Sequence, residues 1–394
     1  MCNNLGIVGV GKLGICYAII FAKTGYKVYI HDINISILDN IKNDTYNYNE
    51  PGLNDLITEF KSNIILSYDL NDIYKNCNII FTYIQTPSLE NGLYNHEYIN
   101  NFIDETLKFN DNDNNNDNNN DNNNNNNNNN DNDNDNDNNN DKMIIINSTV
   151  IPEYCNSIKE KLKSNNFSLC YNPSFIAQGS IINNIINPDI ILIGLDENEN
   201  NYNKIVDIYD KILINNDKNK YKRMNLLEAE ITKLSINCFI TTKITYANMI
   251  GDYLINKNCN PDIVLNAIGS DSRIGNKYFK YGYGYGGPCL PRDNKALYEY
   301  GNQNNYNFNI CNINDLNNSK HLLFQYENLK NSKEPIEFKY ITYKDTSDIL
   351  EQSQKLELAI LLAKNENKVI IYERPFIIEI LKNKYNDLFE YKEL

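Results

Sequence analysis

The segment Gly9-Val10-Gly11-Lys12-Leu13-Gly14 lies between an apolar, strand-like run, Leu5–Val8, and a helix-like run, Ile15–Lys23. Three glycines at this spacing constrain the backbone more than any other stretch of the chain. The first permits a tight turn, the second lets a ligand approach the backbone, and the third lets helix pack closely on strand. The helix N-terminus then offers free N–H groups and the positive end of its dipole to phosphates. Glycines alone form a turn by chance. Here a second strand-like run, Lys27–His31, leads into Asp32, and a carboxylate at that point can bind both ribose hydroxyls of a dinucleotide while repelling a 2′-phosphate. The expected cofactor is NAD rather than NADP, held by Gly9, Val10, Gly11, Lys12, Leu13, Gly14 and Asp32.

The same alternation continues downstream. Strand-like runs at Ile79–Tyr83, Met143–Ile146, Ser168–Tyr171 and Ile190–Ile193 are separated by helical patterns such as Tyr98–Phe109. This predicts a doubly wound, mainly parallel, Rossmann-like α/β domain over residues 1–200. Thr86-Pro87 and Ser148-Thr149 follow two of these strands, at the edge where ligands collect in such sheets. Leu226–Ile255 carries apolar residues at helical spacing and no proline, so one long helix is expected within a central helical domain, 201–305. From about Ile336 the pattern returns to strand, helix, strand at Phe338–Thr342, Ser353–Ala363 and Val369–Tyr372. That portion, 306–394, reads as a short, truncated C-terminal α/β domain.

Composition narrows the partners. The tract Asn110–Asp141 holds nine aspartates, no basic residue and no apolar one. It cannot bury surface to offset chain entropy and is expected to be disordered, a low-complexity insertion between a helix and the next strand. Removing its charges from the net −14 leaves −5, an ordinary acidic balance. No basic stripe suits nucleic acid, and no apolar run approaches the roughly 20 residues that span a bilayer. The opening residues enter the first strand with no basic region or cleavage site, and the nine cysteines form no CxxC pair. A cytoplasmic chain with reduced thiols is expected. His31, His96 and His321 form no ligand-spaced group, so no metal site is expected.

Chemistry enters with Cys289, in Gly286-Gly287-Pro288-Cys289-Leu290-Pro291-Arg292-Asp293. Beside a hydride acceptor, a thiol can trap an aldehyde as a thiohemiacetal, which loses a second hydride to become a thioester that water releases as an acid. Lys233 and Asn237 fall at i and i+4 on the predicted long helix, where an ammonium and an amide side by side can hold an alkoxide. Each feature also has a plainer reading: an inert buried thiol, a solvated helix face, and an Arg292–Asp293 ion pair at the surface.

Taken together these motifs resemble the nucleotide-sugar dehydrogenases, the UDP-glucose/GDP-mannose dehydrogenase family. The resemblance rests on Asp271-Ser272-Arg273-Ile274-Gly275, on Tyr278 through Asp293, and on Glu230-Ile231-Thr232-Lys233-Leu234 with Asn237, Phe239, Lys243-Ile244 and Asn248. Glu50-Pro51-Gly52-Leu53, Thr86-Pro87, Ser148-Thr149-Val150, Asn172-Pro173 with Phe175, and Asn187-Pro188-Asp189 recur in the same order. The resemblance implies NAD-dependent oxidation of a UDP-hexose to the UDP-uronic acid, UDP-glucose to UDP-glucuronate foremost, by a homodimer. It makes Cys289 the nucleophile and gives Lys233 and Asn237 the oxyanion. Asp293 and Thr149 would act on the hydrolytic water. Thr86, Thr149 and Gln178 would join the cofactor site. Ser174, Phe175 and Gln178 would meet the substrate, as would Arg273 across the dimer. Tyr278, Lys280 and the loop Tyr281, Gly282, Tyr283, Gly284, Tyr285, Gly286 would wrap the nucleotide.

Two departures qualify this. Ser174 stands where the family has a carboxylate credited with proton transfer, and Leu350-Glu351-Gln352-Ser353 offers no arginine where the family segment has one. The chain also ends at Leu394, so weak nucleotide affinity is expected. Three other readings stay open: another nucleotide sugar (a UDP-N-acetylhexosamine or GDP-mannose), a nucleotide-binding relative without turnover, and an assembly role for the Asn/Asp tract.

Overall fold

The computed structural model describes residues 3–46, 48, 50–109, 142–176, 179–196, 198–215 and 217–394. The predicted disorder of the Asn/Asp tract and the role expected of Gln178 fall outside them. By backbone contacts the chain divides into two compact units. One comprises the chain through Thr86 together with His96–Ala229, the other Pro87–Asn95 together with Glu230–Leu394.

The first unit is built on eight strands: β1 (Asn4–Val8), β2 (Lys27–His31), β3 (Ile64–Leu66), β4 (Ile79–Thr82), β5 (Lys142–Ile146), β6 (Phe167–Tyr171), β7 (Ile191–Gly194) and β8 (Tyr221–Met224). Their order is β3-β2-β1-β4-β5-β6-β7-β8, with β1 flanked on either side by β2 and β4, the reversal point of a doubly wound sheet. All pairs are parallel except β6 with β7, which meet antiparallel at Tyr171 and Gly194. The central strands are buried on both faces, as continuous apolar runs such as Met143-Ile144-Ile145-Ile146 require. Two hydrophobic cores result. One contains Ile7, Ile19, Phe21 and Phe81, the other Tyr74, Ile80, Ile144 and Tyr171.

The antiparallel junction explains an asparagine. Asn172, directly after β6 and 2% exposed, donates to the Leu192 carbonyl of β7 at 2.7 Å and accepts from the Tyr209 hydroxyl at 2.5 Å. Its carbonyl takes the Asn147 amide at 2.6 Å. A side chain here replaces the ladder bonds that a single bridge leaves unmade.

In the second unit the long helix runs Leu226–Asn256, beginning in the first unit's last residues. Helices Pro261–Gly269, Leu290–Gln303 and Asn309–Leu329 follow. A small parallel sheet, β9 (Ile336–Lys339), β10 (Val369–Glu373) and β11 (Glu390–Glu393), is ordered β11-β10-β9 and packs helix Gln354–Lys364 through Phe338, Leu358, Leu362 and Ile371. The C-terminal portion thus contains a third strand beyond the expected strand–helix–strand. Strands β3, β8 and β11 escape a reading of sequence for a common reason. Each lies at a sheet edge and lacks a buried apolar run, and β11 reads Glu-Tyr-Lys-Glu. Among the described residues no helix is long and apolar enough to cross a membrane, and no His/Cys/Asp/Glu group could hold a metal ion.

Replacing Asn172 with Ala strands two buried polar groups and should cost on the order of 2–4 kcal/mol. Urea unfolding of the variant measures this, and an unchanged midpoint would contradict the stitching role.

Candidate active site

In the first unit the three glycines of the opening turn do different work. Gly9 adopts φ +89°, and a Cβ there would lie 2.7 Å from the Tyr83 carbonyl oxygen. A Cβ on Gly14 would lie 2.0 Å from the Gly9 carbonyl oxygen, so only hydrogen lets the helix Lys12–Lys23 approach the turn. Gly11 has nothing within 4 Å of its Cβ position. Space therefore opens at the second glycine, at the helix N-terminus, which fits a pyrophosphate. Val10 and Gly14 are buried, and Leu13 packs partly against the core. The Asp32 carboxylate takes the Val10 N–H at 2.7 Å and the Asn34 N–H at 2.9 Å, which fixes it beside the turn.

The ends of β4 and β5 are tied together. Thr86 Oγ1 donates to the Thr149 carbonyl at 2.7 Å, and Ser148 Oγ donates to the Ile84 carbonyl. Ser174 and Phe175 lie in the loop after β6, where the Ser174 hydroxyl donates to the Tyr17 hydroxyl at 3.1 Å. Tyr17 stacks on Tyr83 at 4.8 Å and is pushed up to about 12, chiefly by burial. Glu50, 5% exposed, accepts the N–H groups of Gly179 and Ile181 and so caps the helix Ile181–Ile186.

The second unit gathers the expected chemistry. Cys289 is the N-cap of the helix Leu290–Gln303, whose first turn holds Pro291 and Asp293. Asp293 is 1% exposed, so the plainer reading of a surface ion pair with Arg292 does not hold. Hydrogen-bond donors meet both of its oxygens. Asn237 Nδ2 donates to one oxygen at 2.6 Å and the Tyr94 hydroxyl to the other at 2.6 Å. Arg292 Nε lies 3.5 Å away, with its guanidinium 4.8 Å from the Tyr94 ring centre.

Lys233, also buried, comes from the same helix as Asn237. Burial pushes its amine down, while Asp293 and Cys289 oppose that shift. Cys289 opens to solvent on one side, yet crowding by protein raises its thiol, and Asp293 adds to the rise. Arg292 and Lys233 pull it the other way. The four groups form one electrostatic cluster, in which positive side chains stand on one side of the thiol and a fixed carboxylate on the other. Tyr94 and Arg292 were absent from the expected set. Tyr94 is 199 residues from Asp293, a separation that no local pattern signals.

The glycine-tyrosine loop divides. Gly282 is open around its Cβ position, but a Cβ on Gly284 would meet Asn318 Oδ1 at 2.2 Å and one on Gly286 the Gln352 carbonyl oxygen at 2.0 Å. Those two glycines serve close packing of the protein on itself. Tyr285 is buried and hydrogen-bonded to Asp315, and Tyr281 donates to Asp252 at 3.0 Å. The Gly282 N–H donates to Asn248 Oδ1, and its carbonyl oxygen pairs with His321 Nε2 and Gln325 Nε2. Tyr278 and Tyr283 are exposed, as is Lys280. Arg273 is exposed and bonded to Asp271 on its own turn; it does not join the Cys289 cluster.

Alkylation of Cys289 by iodoacetamide, followed peptide by peptide, should titrate above the ordinary thiol range. Lys233→Met should move that midpoint further up, and Asp293→Asn should move it down. A wild-type midpoint below the ordinary range would contradict the electrostatics described.

Comparison with known proteins agrees with this architecture. Residues 3–115 and 134–213 match the NAD binding domain of the UDP-glucose/GDP-mannose dehydrogenase family, and residues 227–319 match its central domain. UDP-glucose 6-dehydrogenase of Rickettsia typhi is 24% identical over 75% of this chain, which spans 62% of that relative's length. Among solved structures, a UDP-glucose dehydrogenase from the hyperthermophilic archaeon Pyrobaculum islandicum superposes with a TM-score of 0.80 at 22% identity, covering 99% of this chain and 86% of the other. A UDP-D-ManNAc dehydrogenase from Pyrococcus horikoshii gives 0.72 at 20% identity, over 94% and 83%. At these identities the structures speak for the fold alone, whereas the two domain matches cover most of the chain. The chain belongs to the UDP-glucose/GDP-mannose dehydrogenase family.

Proposed function

We propose that this protein oxidises a UDP-hexose to the UDP-uronic acid in two steps, with UDP-glucose as the leading substrate. The observation that carries this reading is the Cys289–Lys233–Asn237–Asp293 cluster, with its buried, doubly hydrogen-bonded carboxylate. NAD, when bound at the glycine turn, supplies the hydride acceptor for both oxidations. Lys233, lowered by burial, is suited to take the proton of the sugar hydroxyl and return it as positive charge to a developing alkoxide. Cys289 then adds to the aldehyde carbon as its thiol proton passes to the carbonyl oxygen, where Asn237 donates to the developing charge; the thiohemiacetal gives its hydroxyl proton to Lys233 as the second hydride leaves. After the second oxidation the carbon is a thioester. Asp293 takes a proton from the water that cleaves it.

Arg273, on its exposed turn, is read as reaching the nucleotide of a second copy, which makes the working form a dimer. Ser174 cannot accept a proton at neutral pH, so one acid–base role is vacant unless Asp293 or an ordered water fills it. A sugar other than glucose is the second reading, because the matching family model covers UDP-glucose and GDP-mannose dehydrogenases alike.

Purified protein given NAD and a panel of nucleotide sugars should yield about two NADH per sugar oxidised. One NADH per sugar would mean arrest at the aldehyde, and none with any sugar would contradict turnover. Cys289→Ser should abolish acid formation. Ser174→Glu should raise the rate, since general acid–base assistance is worth about 10²–10⁴; an unchanged rate with binding intact counts against the vacant role. Gly11→Ala should keep the melting temperature yet weaken NAD binding about tenfold or more, because its methyl enters open space where the backbone meets pyrophosphate. Gly14→Ala should instead destabilise the fold.

A further inference from the structure

Asp293 is placed by more than the long helix. The segment Pro87–Asn95 follows β4 and its C-terminal loop, yet it packs within the second unit. It is a tight hairpin: Leu89 N–H reaches the Leu93 carbonyl at 2.7 Å, Asn95 N–H reaches Pro87 at 2.7 Å, and Gly92 turns with φ +94°. At its base stands Tyr94, 3% exposed, whose hydroxyl donates to Asp293 Oδ1 at 2.6 Å. The opposite oxygen takes Asn237 at 2.6 Å. The groups facing this carboxylate are Tyr94 from the hairpin, Lys233 and Asn237 from the long helix, and Cys289 and Arg292 from its own turn, while the Cys238 thiol donates to the backbone carbonyl of Asp293.

One donor on each oxygen fixes the plane of the carboxylate, and both donors are neutral. A neutral donor holds an anion in place without the competing charge of an ion pair. Without the phenol, Oδ1 would keep only Arg292 Nε at 3.5 Å, too long for a good hydrogen bond. The side chain would then be free to rotate toward the guanidinium.

We infer that Tyr94 is a positioning residue for thioester hydrolysis, orienting the Asp293 carboxylate toward the attacking water. The inference rests on the proposed function. In that step the water oxygen bonds to the acyl carbon, the C–S bond breaks, and sulfur leaves as the Cys289 thiolate. One water proton passes to Asp293, and the other departs as the product acid ionises. Both oxidations precede this step, so loss of Tyr94's hydroxyl should spare them.

The test is rapid mixing of the full-length Tyr94→Phe variant with NAD and UDP-glucose. Phe keeps the ring under Arg292 and removes only the hydroxyl. The expected result is a burst approaching about two NADH per site, then a steady rate about 10- to 100-fold below wild type, with KM falling in step so that kcat/KM changes little. Tyr94→His, which retains a donor, should recover part of the rate. An unchanged steady rate overturns the inference. So does a slower rate without a burst and with a lowered melting temperature, since that is the signature of a structural role alone. Wild-type protein that yields no NADH from UDP-glucose or any other nucleotide sugar overturns the functional reading, and this inference with it.

Discussion

A carboxylate taken out of water is unstable unless donors replace its hydration, and Asp293 meets that demand with groups from three parts of the chain. Asn237 comes from the long helix, Tyr94 from the hairpin after β4, and Arg292 from the same helical turn. Satisfying this one charge fixes the geometry of its neighbours. Cys289 becomes the N-cap of the helix that carries Asp293, and Lys233 is held one helical turn from Asn237. Burial pushes the Lys233 amine down and the Cys289 thiol up, while Asp293 opposes the first shift and Lys233 and Arg292 oppose the second. Removing any one leaves the others under-compensated, and in buried networks such losses exceed the worth of the pair removed.

The first unit follows a different logic, that of close packing at hydrogen-sized tolerances. Gly9 and Gly14 exist because backbone atoms come within 2.7 and 2.0 Å of where a side chain would begin, whereas Gly11 faces open space. Of the three, the middle glycine alone leaves open space at its Cβ position. The same distinction separates Gly282, which is open, from Gly284 and Gly286, which are packed against Asn318 and Gln352.

This bears on what sequence alone can convey. The turn at Gly9–Gly14, the long helix and the central strands were legible because each is encoded within a few neighbouring residues, by periodicity or by conformational freedom. Lys233 and Asn237 could be placed on one helix face by counting. Strands β8 and β11 were not legible, since half-solvated edge strands such as Glu390–Glu393 carry no apolar run. Nor was Tyr94, whose partner lies 199 residues away, or the burial of Asp293, which a dipeptide with Arg292 disguises as a surface pair. Asn172 was read as a motif position, but its work at the antiparallel junction appears only in three dimensions.

The central claim is that carbon becomes bonded to sulfur at Cys289 and that Asp293 is needed to free it. The most direct measurement is the mass of acid-quenched Asp293→Asn protein after incubation with NAD and UDP-glucose, followed by peptide mapping. The account predicts an adduct equal to the sugar nucleotide less four hydrogens, carried by the peptide that contains Cys289. An unmodified Cys289 in a variant that still reduces NAD, or an adduct on another cysteine, would contradict it.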